Sequence, residues 1–187
     1  MDLHSNSRKT RRNTQGVMDQ IVFRWSPRSM TGETLAQEDL LPLFEAARWA
    51  PSAFNNQPWR FYYALRDNSK FDDLMGLLVE KNRQWCINAA CLMIVVSKKT
   101  YDHNGSPMQS HVYDTGAAWM AMAIEGTRRG YVVHGMAGFD SEAASNYLAL
   151  DDEYQVNFMA AVGVPSAQVE GEEVSQRRPV NEIAIPL

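Results

Sequence analysis

Cysteine is nearly missing from this chain. Only Cys86 and Cys91 occur among 187 residues, close together beside an apolar run and without metal-ligand spacing. That argues against a disulfide framework and against a thiolate metal centre; buried, unreactive thiols are the expectation. Histidine is equally sparse. His4, His103, His111 and His134 are scattered, and each reads as a loop or packing residue rather than a catalytic base. No Ser-His-acid set and no metal-ligand cluster stands out, so neither a protein nucleophile nor a metal is expected. No apolar run approaches membrane-spanning length, and the first residues hold no apolar signal region. The expectation is a cytoplasmic protein with no membrane partner. A net charge of -4 argues against a general nucleic-acid binder. There is no internal repeat.

What is present suits one domain of ordinary size. Hydrophobic residues make up 45% of the chain, enough for a substantial core. Charge is uneven, because residues 1–16 set Arg8, Lys9, Arg11 and Arg12 against Asp2 alone. That stretch is polar and without periodicity and reads as a disordered basic arm, leaving 17–187 as the domain. Within it the pattern is α+β. Helices are expected over Val17–Phe23, Asp39–Trp49 with Pro42 in its first turn, Phe71 to Lys81, and His111–Arg129 closed by Gly130. Another should run to Leu148, capped by Asp140 or Ser141. Strands are expected at Arg60–Leu65, Tyr131–His134, Tyr154–Val162, and Cys91–Val96, whose continuous apolar run suits a buried strand. From Gly171 onward the chain reads as an extended tail. In the long helix, Gly116, Ala117, Ala118, Ala121 and Ala123 would let another helix approach closely; a central core helix accounts for them.

Two clusters carry chemical information. In Arg24-Trp25-Ser26-Pro27-Arg28, two guanidiniums flank a hydroxyl and Pro27 restricts the chain between them. A phosphate monoester would be met there by planar forks of N–H donors, each charge-assisted bond worth roughly 1.5–3 kcal/mol. An exposed basic turn is the plainer alternative. In Pro51-Ser52-Ala53-Phe54-Asn55-Asn56-Gln57-Pro58-Trp59, a helix pattern stops and a turn rich in amides leads into an aromatic strand. Such a turn could present donors and acceptors to a flat polar ligand, or its amides could satisfy their own backbone.

Together these segments resemble the FMN-dependent nitroreductase family, whose members carry an R-x-S-x-R/K element and then a P-S-x-x-N-x-Q-P-W turn. Further matches follow in order: Asn82-Arg83-Gln84-Trp85 before an apolar strand, Val112-Tyr113-Asp114-Thr115-Gly116 opening the central helix, Gly138-Phe139-Asp140, Val162-Gly163-Val164-Pro165, and Arg177-Arg178-Pro179. The resemblance covers about residues 17 to 187 and looks like the family's compact branch, since only Ser97–Ser110 stands where many members insert a long excursion over the active site.

The resemblance implies an α+β nitroreductase-like fold, with a central mixed or antiparallel sheet flanked by helices, in an intertwined homodimer whose tail wraps the partner. It implies FMN as cofactor and NADH or NADPH as electron donor. Arg24, Ser26 and Arg28, with Arg177 or Arg178, would hold the flavin of one subunit. Pro51, Ser52, Ala53 and Asn55 would reach it from the other. Asn82, Met136, Ala137, Gly138 and Phe139 would border the ring, and Trp25 would pack beside it. Hydride would pass from reduced nicotinamide to flavin N5 and on to a small acceptor such as a nitroaromatic or quinone, in ping-pong order. Other flavin chemistry on the same fold stays open: dehalogenation, reduction of conjugated acceptors, or flavin degradation. So do a non-catalytic flavin-binding module and a purely structural dimer.

Overall fold

The computed structural model describes Leu3 and residues 5–187; Met1, Asp2 and His4 lie outside them. Its centre is a four-stranded, wholly antiparallel sheet in the order β1-β2-β4-β3, built from β1 (Trp59–Leu65), β2 (Cys91–Lys98), β3 (Val132–Met136) and β4 (Tyr154–Gly163). Seven α-helices surround it among the described residues: α1 (Ser5–Thr10), α2 (Asp19–Phe23), α3 (Gln37–Arg48), α4 (Lys70–Leu77), α5 (Glu80–Cys86), α6 (His111–Arg128) and α7 (Ser141–Tyr147).

Strand β2 explains the layering. It is interior to the sheet and covered on both sides, so its side chains are apolar without alternation. Leu92, Ile94 and Val96 join Met159, Ala161, Phe71 and Leu74 on one face. Cys91, Met93 and Val95 join Ala160 and Val162 on the other, under α3 and α6. Small residues let α6 sit close: Ala118 and Ala123 are buried, and Gly126 abuts Val133 and Leu43 so tightly that a Cβ there would lie 2.3 Å from the Val133 Cγ2. At its C-terminal end Gly130 takes φ +85°, the left-handed geometry that favours glycine. The two thiols are free and buried. Burial pushes Cys86 up to about 12 and raises Cys91 as well, so both stay protonated.

Three expectations need correction. The anticipated helix from Phe71 to Lys81 is broken into α4 and α5, because Leu78 turns extended and bridges to Phe139 while the Val79 N–H bonds the Gly138 carbonyl at 3.1 Å. Helix α3 begins at Gln37, so Pro42 lies beyond its first turn; the start is fixed by the Asp39 carboxylate accepting from the Ala36 N–H at 2.9 Å. Most consequential, the basic arm is not disordered over its described residues. Helix α1 lies against the end of the chain: Asn6 donates to the Glu172 carbonyl at 2.6 Å, and the buried Ser7 hydroxyl donates to the Phe23 carbonyl at 2.7 Å.

Candidate functional site

The segment after α2 is extended and stitched down at both ends. Beyond Arg28, Thr31 N–H bonds the Val164 carbonyl and Ser166 N–H bonds the Ser29 carbonyl, tying it to the end of β4. The Glu172 carboxylate accepts from the backbone N–H groups of Arg28 (3.0 Å) and Ser29 (2.8 Å). Held this way, Arg24, Ser26 and Arg28 line a small cleft of about 200 Å³ with Arg11, Ser175 and Arg177; Glu172 and Glu173 also border it.

The electrostatics of this cleft are unusual. Arg24 is half-buried, and its side chain's one hydrogen bond among the described residues is from Nη1 to the Ser26 hydroxyl at 3.1 Å. Its guanidinium makes no ion pair among those residues. Its guanidinium pKa is lowered, chiefly by burial and then by the neighbouring Arg177. Arg11 is also lowered, by burial and by Arg177 and Arg24. Arg11, Arg24 and Arg177 therefore share a partly desolvated space, and of the two acids that border it Glu172 is committed to backbone amides. Like charges brought together without a counter-ion repel, and an entering anion would relieve that.

Of the C-terminal pair, Arg177 faces this cleft. Arg178 lines only the adjoining hollow of about 730 Å³, which it shares with Arg11, Arg12, Arg24, Arg177 and Met120. Trp25 borders the cleft but is mostly buried. Its residue is only 5% exposed and belongs to the core, and the indole N–H donates to the Leu3 carbonyl at 3.0 Å. It stiffens the segment between the arginines rather than offering a ring face.

A second group continues from the first through His134. Its Nδ1 donates to the Pro27 carbonyl at 2.9 Å, which assigns the proton to Nδ1. Its ring lies 4.6 Å from that of Trp85, whose indole N–H donates to Asn82 Oδ1 at 3.3 Å. Asn82 in turn donates to the Gly138 carbonyl at 2.9 Å. Burial foremost, with Arg28 and Arg24 adding to it, lowers the His134 pKa, so the ring is neutral near pH 7. Met136 and Ala137 line a shallow apolar hollow of about 280 Å³ with Trp119 and Phe158. Gly138 and Phe139 lie against α4 and α5 instead. A Cβ at Gly138 would fall 2.7 Å from Asn82 Nδ2, so close packing of α5 by itself requires the glycine.

The third group, Pro51 to Asn55, sits at the N-terminal end of α6. Ala53 N–H donates to the buried Asp114 carboxylate at 2.9 Å, and the Ser52 hydroxyl accepts from Gln57 N–H at 3.0 Å. Asn56 fastens the turn to the loop after β2, accepting from Asp102 N–H and donating to the Thr100 carbonyl. The Asn56 amide thus serves a neighbouring loop rather than its own turn. Asn55 differs: its side chain is exposed and makes no hydrogen bond among the described residues. Phe54, Asn55 and Gln57 all hold positive φ, between 48° and 53°. Such strain in non-glycine residues costs on the order of 1 kcal/mol or more each and concentrates at ligand-binding turns. The cleft beside this turn, lined by Phe54, Asn55, Arg60 and His103 among others, shares no residue with the arginine cleft.

Sequence reasoning missed Arg11, Glu172 and His134. Each acts through a backbone partner distant in sequence, and nothing in local pattern announces that.

The family model described as Nitroreductase family matches residues 21–81. The putative NAD(P)H nitroreductase MhqN of Bacillus subtilis (strain 168) is 25% identical, the match covering 82% of this chain and 89% of that protein. A solved oxidoreductase containing FMN is 35% identical, with TM-score 0.88 over 94% of this chain and 93% of its own. A putative nitroreductase from Desulfovibrio desulfuricans, solved in complex with FMN, is 25% identical with TM-score 0.75, over 94% and 98% of the two chains. A fold and a third of its residues shared along nearly the full length, together with the arginine cleft and the strained amide turn, show that this chain belongs to the nitroreductase family of flavin oxidoreductases.

Proposed function

We propose that the arginine cleft receives the phosphate of FMN and that the protein is an NAD(P)H-dependent oxidoreductase acting as a cytoplasmic homodimer on small acceptors such as nitroaromatics or quinones. The observation that carries this is Arg24. A half-buried guanidinium, beside Arg177 and bonded among the described residues only to a serine hydroxyl, has donors to spare and makes no ion pair with them. Its donor set fits a dianionic phosphate.

Bound flavin supplies the two-electron chemistry, taking reducing equivalents from NADH or NADPH and passing them to the acceptor in alternate half-reactions. The chain supplies the rest. Arg24, Ser26 and Arg177 anchor the phosphate, and Arg28 places positive charge beside the cofactor. Asn82 and neutral His134 lock the Met136–Phe139 segment to the Arg24–Arg28 segment, so the two act as one rigid ledge. Pro51, Ser52, Ala53 and Asn55 complete the site from the second subunit. The separate clefts are consistent with that reading, since within one chain the turn and the arginines line different cavities.

Apolar exposure supports the pairing of chains. Val112, Gly116 and Met120 recur every fourth residue along an uncovered face of α6, with Tyr113 beside them. The tail leaves Val180, Ile183, Ile185 and Leu187 exposed. Among the described residues no helix is long and apolar enough to cross a membrane.

One preparation tests the reading. The purified protein should be yellow, bleach with NADH or NADPH in the absence of oxygen, and regain colour when a nitroaromatic or quinone is added. Yellow colour without bleaching would point to a binding module. A colourless protein that ignores added FMN would overturn the assignment.

A further inference from the structure

The N-terminal helix has no apolar face to bury, yet it is held in place. Its anchor is Arg11, only 8% exposed. Arg11 Nη1 donates to the carbonyls of Val22 (3.0 Å) and Arg24 (2.7 Å). Its Nε and Nη2 both donate to the Ser175 carbonyl, at 3.1 and 3.0 Å. One planar fork thus spans two strands that are remote in sequence. One carries Arg24; the other leads to Arg177. Asn6 and Gln176 reinforce the same seam, through the Glu172 and Thr10 carbonyls.

We propose that α1 is a clasp for the anion site and that Arg11 is a positioning residue, setting Arg24 and Arg177 at the spacing that grips a phosphate ester. This rests on the reading of the cleft as a phosphate site. Arg11 makes four bonds to backbone carbonyls, which leaves one of its five N–H donors unused; its task is to place other donors. Geometry also explains why arginine stands there: an ammonium at the same point could not reach carbonyls on both strands. Seating a third guanidinium beside two others is unfavourable on its own, and burial together with Arg177 and Arg24 depresses the Arg11 pKa. A bound phosphate offsets that repulsion, so closing the clasp and binding the anion favour each other. Such coupling is reciprocal.

Two measurements test it. In the first, FMN and riboflavin, which lacks the phosphate, are titrated separately into apo-protein by quenching of flavin fluorescence. Arg11→Gln should raise the FMN Kd by about tenfold or more and leave the riboflavin Kd within about twofold, since a few charge-assisted bonds are at stake. Arg11→Lys, which keeps the charge without the fork, should recover only part of the loss. Equal weakening of both flavins would reduce Arg11 to general structural support and overturn the proposal, as would full recovery by lysine or an unchanged FMN Kd. Arg24→Ala serves as the control: if it binds FMN normally, the phosphate reading itself falls. If it weakens FMN while Arg11→Gln does not, only the clasp falls.

The second measurement uses wild-type protein and needs no variant to fold. Trypsin should cut at Arg8, Lys9 and Arg12 in the apo form, and FMN or inorganic phosphate should slow that cleavage at least severalfold. Riboflavin should protect far less. Equal cleavage with and without FMN would overturn the clasp.

Discussion

Of the chain's three Arg-Arg pairs, the two nearest its C-terminus have opposite surroundings. Arg128 and Arg129 close α6 and converge on Glu125, with N···O distances of 2.7–2.8 Å. Arg177 and Arg178 have no such acid. Arg177 lies beside Arg24 and Arg11, and the cleft they share depresses the pKa of both Arg24 and Arg11. The first pair is finished: Glu125 offsets half of its charge within the chain, and the rest sits at a helix C-terminus, where cations are favoured. The second makes no ion pair among the described residues, which is what the proposed anion would supply. Arginine density alone would not separate the two. What separates them is whether a carboxylate is paired with the guanidiniums.

The largest effect that could break this contrast is at Arg24. Arg24→Ala removes a charge-assisted donor fork worth roughly 1.5–3 kcal/mol per bond, so the FMN Kd should rise by about 10- to 100-fold. Riboflavin affinity and helix content by circular dichroism should change little. If phosphate-bearing and phosphate-free flavins weaken alike, the cleft is no more an anion site than the end of α6.

The α6 end should instead respond to packing. Gly126→Ala gains helix propensity of about 1 kcal/mol but drives a methyl into the stiff Val133 side chain, an overpacking cost of about 1–3 kcal/mol. A net loss of up to about 2 kcal/mol is expected, visible as a melting temperature lower by up to several degrees. The FMN Kd should hold within about twofold. A rise in melting temperature would show that Val133 moves aside freely, and a change in flavin affinity would link two regions that the contrast keeps apart.

Much of this was legible beforehand, for identifiable reasons. The apolar run from Cys91 to Val96 marks the doubly covered strand, and Gly130 marks where α6 must stop. The family resemblance located Arg24, Ser26, Arg28 and Asn55. What escaped was whatever depends on long-range partners. Helix α1 is secured by side chains bonding to carbonyls, which leaves no hydrophobic period to read. The break at Leu78 exists because Phe139 pairs with it across the fold. The indole of Trp25 points inward, a direction that an aromatic between two arginines does not disclose. Gly138 was read as a place of close approach, and α5 approaches it.

The smallest expected effect is at Glu125, and its size is what gives the contrast its meaning. The two arginines hold the Glu125 carboxyl down to about 2, so its folded pKa lies below the ordinary value of 4.5. A group depressed in this way contributes stability above its unfolded pKa and loses it as pH falls toward the folded value. The contribution is therefore intact at pH 7 and fades between about 4.5 and about 2. Its nominal size must be discounted heavily, because the arginine partners are well exposed and water screens the pair. Glu125→Gln should cost no more than about 1 kcal/mol at pH 7, and the difference from wild type should shrink on acidification and in high salt. Thermal melts at pH 7 and pH 3, with and without added salt, measure this directly. A large, salt-insensitive loss at pH 7 would mean that the arginine pair held by Glu125 supports the fold as strongly as the other is proposed to grip its ligand, and the distinction between paired and unpaired charge would then not describe this protein.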